Sequence, residues 1–258
     1  KNVFGVSLMT FDFESMLGRI QFISDGIIPI CIFAILRYRK DLRFGIASAI
    51  AMLVVLLASD FFSFSRYFWG FSVVAIVLGL FLGKKDLFQV LLIAALSTIS
   101  LSSLPLLTTV VELRFSSRIV DASDQDRAGQ LDALKEFFQS APVLGHGMGS
   151  YTRRIIRNDD APYSYEDQLL ALAGQLGVVG TFGLSLLTLY YFRDLWPQPG
   201  RGVIQSLGLA VVLLMWICAG LFNPEVVSSA ASVSYAAISA MAGIGARGVV
   251  RGTALSRL

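Results

Sequence analysis

Charge is scarce in this chain: Asp, Glu, Lys and Arg make up 15% of its 258 residues, where soluble domains carry about 25%. Histidine is scarcer, with one in the whole sequence, and cysteine occurs only twice. A lone histidine, His146, cannot build a zinc site, and no carboxylate set stands around it at helical metal-ligand spacing. No metal and no cofactor are therefore expected. Nothing beside His146 resembles a nucleophile elbow either, which disfavours Ser-His-Asp chemistry. Cys31 and Cys218 both lie inside apolar runs, where a small soft side chain is ordinary packing and reports nothing about redox compartment. Net charge is +3, from 21 basic and 18 acidic residues, too small a bias to point to nucleic acid as a partner. The first residue is Lys1, and no basic-then-apolar leader pattern follows it. The expectation is the C-terminal part of a longer membrane chain whose first helices precede Lys1.

What the chain has in abundance is apolar surface: 55% of residues are hydrophobic, 19 of them Phe. Apolar stretches bounded by charge or by Pro and Gly fall at about 20–36, 44–64, 67–83, 87–111, 168–192, 203–222 and 226–246. Each approaches the roughly 20 residues needed to cross a bilayer. The pattern predicts an all-α, polytopic transmembrane helix bundle, with residues 1–258 forming a single membrane domain. Between Arg114 and Glu166 the texture changes to seven basic and eight acidic residues, one large hydrophilic loop at 114–166.

Orientation follows from the ends of the spans. Arg37, Arg39, Lys40, Arg43, Lys84, Lys85, Arg193, Arg201, Arg247, Arg251 and Arg257 gather on one side against three acids, net +8, and the other side is net −5. Basic residues in short loops mark the cytoplasmic side, so the 114–166 loop is expected to face outward. Within it, Asp124-Gln-Asp126 precedes Leu131, Leu134, Phe137 and Phe138 at helical spacing, and Ser140-Ala-Pro142 ends the pattern. This predicts a short amphipathic helix, lying over the bundle or in the membrane interface.

The outer side is rich in arginine and poor in lysine: Arg19, Arg66, Arg114, Arg118, Arg127, Arg153, Arg154 and Arg157 against Lys1 and Lys135. Guanidinium is always charged and grips phosphate through paired donors, so this composition suits a diphosphate beside a membrane. The plain alternative for any one of them is pairing with the loop's acids. Arg66 stands between two apolar spans with almost no loop, where a charge is a functional candidate, its plain alternative being an ion pair with Asp60. Gly145-His-Gly-Met-Gly149 offers either an anion-binding nest of amides, through Gly147 and Gly149, or a tight turn. His146 reads as a substrate contact or as a loop histidine between glycines. Glu166 marks the re-entry of the loop into the bilayer, where a carboxylate in a drier setting can accept a proton or simply end a loop.

Three stretches together resemble the O-antigen ligase and polymerase family of bacterial envelope polysaccharide assembly. They are Ser65-Arg66 opening a span, Arg127-Ala-Gly-Gln130 through Phe137 to Pro142-Val-Leu-Gly-His-Gly-Met-Gly149, and Glu166-Asp167 followed by Leu170, Gln175, Gly177 and Gly180. The likeness covers roughly residues 60–185. Many ligases have His-Asn where this chain has Glu166-Asp167, and the acidic pair looks more like the polymerases. The resemblance implies a GT-C-like fold in the bacterial inner membrane with its active site facing the periplasm. It further implies an inverting, metal-independent glycosyltransferase that polymerises undecaprenyl-diphosphate-linked oligosaccharide units into envelope polysaccharide or exopolysaccharide. Glu166, Arg66 and Arg127 are the expected catalytic residues; Arg19, Arg118, Arg153, Arg154, His146, Gly147 and Gly149 the expected substrate-binding ones. The partners implied are the lipid-linked donor, a glycan acceptor and the bilayer, with a chain-length regulator and a flippase as further candidates. Two rivals remain: a ligase passing finished glycan to lipid A core or protein, and a lipid-linked glycan flippase or transporter.

Overall fold

The computed structural model describes residues 6–9, 19–22, 25–63, 65–82, 117–156, 162–195, 203–222 and 231–255. They form strands β1 (Val6–Met9) and β2 (Arg19–Phe22), then helices α1 (Ile27–Tyr38), α2 (Ile46–Phe62), α3 (Arg66–Leu82), α4 (Ser117–Ser140) and α5 (Gln168–Tyr191). A 3-10 turn (Phe192–Leu195), α6 (Val203–Ala219) and α7 (Ala231–Leu255) complete them. The fold is helical, as expected, with one addition. β1 and β2 pair antiparallel, Val6 opposite Phe22 and Met9 opposite Arg19. The first expected span, 20–36, therefore begins too early. Arg19-Ile-Gln-Phe22 alternates polar and apolar residues, which is strand periodicity. The twelve residues left to α1 rise only about 18 Å.

The contacts divide the chain into two compact units, 1–108 with 194–215 and 229–258, and 109–193 with 216–228. The second unit has a core of its own around Leu134, Tyr165 and Ala171.

In the first unit α1 is apolar apart from Arg37 and Tyr38 in its last turn, and eight of its twelve residues are buried, the signature of a central helix. Ile28, Ile32, Ile35 and Leu36 pack with Ala49 and Leu53 of α2, and with Ile76 and Leu80 of α3. Gly79 of α3 gives Leu36 its room, since a Cβ there would lie 2.7 Å from the leucine Cβ. Pro29 is tolerated because it falls in the first turn, where its missing N–H has no partner to lose. The outward residues are apolar too: Val73, Val77 and Phe81 of α3 recur every four residues on one exposed face.

Among the described residues one helix, α5, is long and apolar enough to cross a membrane. Only 22% of its most apolar window is buried, unlike the core helix of a soluble protein. Five further apolar helices, Ile27–Tyr38, Ile46–Phe61, Arg66–Leu82, Val203–Ala219 and Ala231–Ile244, are 10–17 residues long. The expected span at 87–111 lies outside the described residues. The last helix begins at Ala231 and runs to Leu255, nine residues beyond the span expected to end at 246.

Candidate functional site

The second unit is built on two helices of 24 residues each. The amphipathic helix α4 is thus longer than expected and starts at Ser117, well before Asp124. Its Gln130, Ala133 and Leu134 are buried, a spacing that places them on one face. Leu134 packs on Tyr165, Leu170 and Ala171. Gly174 of α5 leaves the space that the Phe137 ring fills. Part of the apolar face of α4 is therefore packed on α5.

That packing brings together residues far apart in sequence. Nε of Arg127 donates to Oε2 of Glu166 at 2.7 Å, across 39 positions, with the side chains 35% and 23% exposed. One turn along α4, Oε1 of Gln130 accepts the backbone N–H of Glu166 at 3.3 Å. Glu166 is thus gripped at carboxylate and backbone from the same helix face. The next residue, Asp167, caps α5, its Oδ1 accepting the Leu170 N–H at 3.0 Å, which meets one of the unpaired amides of the first turn. The carbonyl of Gly220 accepts the N–H groups of Gln168 and Leu169. Tyr165 is 1% exposed, and its hydroxyl bridges the N–H and C=O of Thr152. Burial pushes the Tyr165 phenol above its usual range, against the opposing effect of the Thr152 backbone bond.

The glycine-rich segment docks on a break in α5. Gly177 has φ 65 and ψ −176, a non-helical conformation inside the helix that glycine alone adopts readily. The break exposes backbone groups, and residues 142–147 meet them. Amides of His146 and Gly147 donate to the carbonyls of Gly174 and Gln175 at 3.1 and 2.8 Å. In return, Val178 and Val179 amides donate to the carbonyls of Pro142 and Val143 at 2.8 and 3.2 Å. A Cβ on Gly145 would overlap the Gln175 carbonyl, and one on Gly177 the Val143 carbonyl. The Gly147 amide expected to offer itself to an anion is used within the protein, so the geometry matches the turn. Gly149 (φ 80) also takes a positive φ with open space around it. His146 stacks on Phe137 at 4.3 Å, its Nε2 2.9 Å from the Phe137 carbonyl and 2.8 Å from Ser140 Oγ. It closes the C-terminal end of α4, a structural post for a loop histidine.

The other arginines divide. Arg154 pairs with Glu136 at 2.5 Å, both exposed, and that hydrogen bond and charge raise its pKa; this is the surface pairing weighed as the plain alternative. Arg153 is exposed. Arg19 lies in β2 and Arg118 in the first turn of α4, and only their backbone is described; Arg114 and Arg157 lie outside the described residues.

Arg66 belongs to the first unit. It is the first residue of α3, preceded by Ser65, whose Oγ accepts the Phe68 N–H at 3.5 Å as an N-cap. A cation in the first turn opposes the helix dipole, so helix stability gives no reason for an arginine there. Asp60 is buried, and its Oδ1 has no hydrogen-bond partner among the described residues. Its carbonyl accepts the Trp69 indole N–H at 2.8 Å and the Ser63 hydroxyl at 2.7 Å.

Sequence reasoning placed Gln130 and Gln175 in the resembling stretches but gave neither them nor Tyr165 a supporting role; Nε2 of Gln175 donates to the Ser150 carbonyl at 2.9 Å. The one local signal was a glutamine three residues after Arg127, hence on the same helix face. Among the described residues no three His, Cys, Asp or Glu side chains cluster as a metal site needs, and Cys31 and Cys218 are free. No family model, curated protein or solved structure matches the chain.

Proposed function

We propose that this chain is a polytopic membrane glycosyltransferase that polymerises oligosaccharide units carried on undecaprenyl diphosphate at the outer face of the bacterial inner membrane. The observation that carries the reading is the Arg127–Glu166 pair, which unites two of the three stretches resembling the polymerase family. A hydroxyl of the acceptor sugar attacks the anomeric carbon of the donor, the bond to the diphosphate oxygen breaks with inversion, and undecaprenyl diphosphate leaves with the electron pair. Glu166 orients the hydroxyl and accepts its proton, with Arg127 and Gln130 holding the carboxylate. Arginines meet the charge that grows on the leaving diphosphate, an electrostatic role suited to a fixed cation. Arg153, exposed in the same unit as Glu166, is the candidate the structure offers; Arg66 remains a candidate from its sequence position alone, at the start of a span. The multi-pass reading draws support from the outward apolar faces of α3 and α5 and from 17-residue helices that rise about 26 Å, close to the thickness of the hydrocarbon core.

One feature favours a second reading. Broken helices are common in transporters, where the freed backbone faces the substrate. At Gly177 the backbone groups are instead met by the 142–147 loop, which puts transport behind transfer. The lipid-linked glycan pool of a deletion strain separates the possibilities. Accumulated single repeats on undecaprenyl diphosphate, outward-facing and without polymer, are expected for a polymerase. Accumulated lipid-linked polymer means a ligase, and single repeats trapped on the cytoplasmic face mean a flippase.

A further inference from the structure

The large apolar side chains of the second unit that are at least 50% exposed fall in two places. One is the loop after α4, where Val143, Leu144 and Met148 are 60%, 75% and 72% exposed; the other is the half of α5 after the break, including Val178, Val179, Phe182 and Leu187. From Gln125 to Ser140, by contrast, the exposed positions of α4 are all polar or small. The two apolar places adjoin, because the Val178 and Val179 amides are hydrogen-bonded to the Pro142 and Val143 carbonyls.

Two physical arguments say what covers that surface. Hydrocarbon offers no partner to a free backbone group, so an interrupted helix survives at membrane depth only where protein fills the interruption. Residues 142–147 do so for two carbonyls and two amides. The second argument is length. Val178–Tyr191 is fourteen residues and rises about 21 Å, which leaves roughly 9 Å of a ~30 Å core to be covered at the level of the loop.

We propose that Pro142–Met148 is a membrane wedge, with Val143, Leu144 and Met148 inserted among the lipids at the leaflet where α5 enters. The partner is the bilayer itself. Through the bonds of Gly147 to Gln175 and of Gln175 to Ser150, the wedge sets the height of the Arg127–Glu166 pair above the lipid. The inference rests on α5 crossing the membrane and is independent of the glycan chemistry.

Spin labels test it on the full-length protein in lipid nanodiscs, with Cys31 and Cys218 replaced by alanine. Leu144→Cys and Met148→Cys carry the probe, Leu187→Cys is the lipid reference and Gln139→Cys the aqueous one. All four positions are exposed, so the labels disturb little packing. Labels at 144 and 148 are expected to collide readily with oxygen and to lose contact with a water-soluble nickel chelate, as at 187 and opposite to 139. Nickel reaching 144 and 148 while 187 stays shielded overturns the wedge and leaves the span. Exclusion of both reagents at 144 and 148 also overturns it, since a protein partner then covers the loop. Nickel reaching 187 as well removes the membrane reading of α5 and the wedge with it.

Discussion

The two halves of α5 differ in their surroundings although they form one apolar run. Before Gly177, Gln168, Ala171, Gly174 and Gln175 are buried against other parts of the second unit. After it, Val178, Val179, Phe182, Leu186, Leu187 and Leu189 are all 50–66% exposed. The first half needs small and amide side chains to admit Phe137 and the glycine loop. The second asks only for apolar bulk. One hydropathy profile therefore covers two environments, a protein-packed platform that holds Glu166 and a shaft that faces outward.

The sharpest way to break that comparison is to remove the chemistry proposed for the platform. Glu166→Gln preserves size and hydrogen bonding but not basicity, and loss of a general base costs about 10²–10⁴-fold in rate. Polymer yield in membranes at matched protein abundance reads this out, with retention of the lipid-linked donor expected. Polymerisation within about threefold of wild type, far less than general-base loss costs, reduces Glu166 to a partner of Arg127.

Packing comes next. Leu134 is fully buried and touches Tyr165, Leu170 and Ala171, so Leu134→Ala should destabilise the second unit by about 2–5 kcal/mol. Phe182 is 65% exposed, and Phe182→Ala should leave stability in detergent nearly unchanged. Equal drops in melting temperature for both would erase the distinction between platform and shaft.

A smaller effect lies at the boundary itself. Gly177→Ala forces a side chain into a backbone region worth about 1–3 kcal/mol of strain and into the Val143 carbonyl. Gly147→Ala meets open space and bears only the strain of φ 95. Protease sensitivity of the 142–149 loop should rise clearly in the first variant and little in the second. Similar behaviour in both shows that the loop does not depend on the break.

Much of this was legible locally. Leu131, Leu134 and Phe137 recur at helical spacing, and Ser140-Ala-Pro142 marks an end that α4 respects. Its start was hidden, because Ser117-Arg-Ile-Val-Asp-Ala-Ser123 lacks an apolar period and the acids that follow imitate a helix beginning. The β1–β2 ribbon was hidden because four alternating residues merge into the longer apolar run after them. In the candidate site, Arg127 and Glu166 could be selected singly, by residue type and place. Their pairing could not, since 39 positions separate them and no periodicity spans a loop.

By itself, the sequence determined a helical, strongly apolar chain with an arginine-rich polar insertion, because hydropathy and charge are sums over residues and need no knowledge of neighbours. Only the tertiary structure decided that α4 lies on α5, that Arg127 and Gln130 hold Glu166, and that α5 breaks at Gly177. A helix break is stable only when the backbone groups it frees find partners, and these come from Pro142 to Gly147, some 30 positions earlier in the chain.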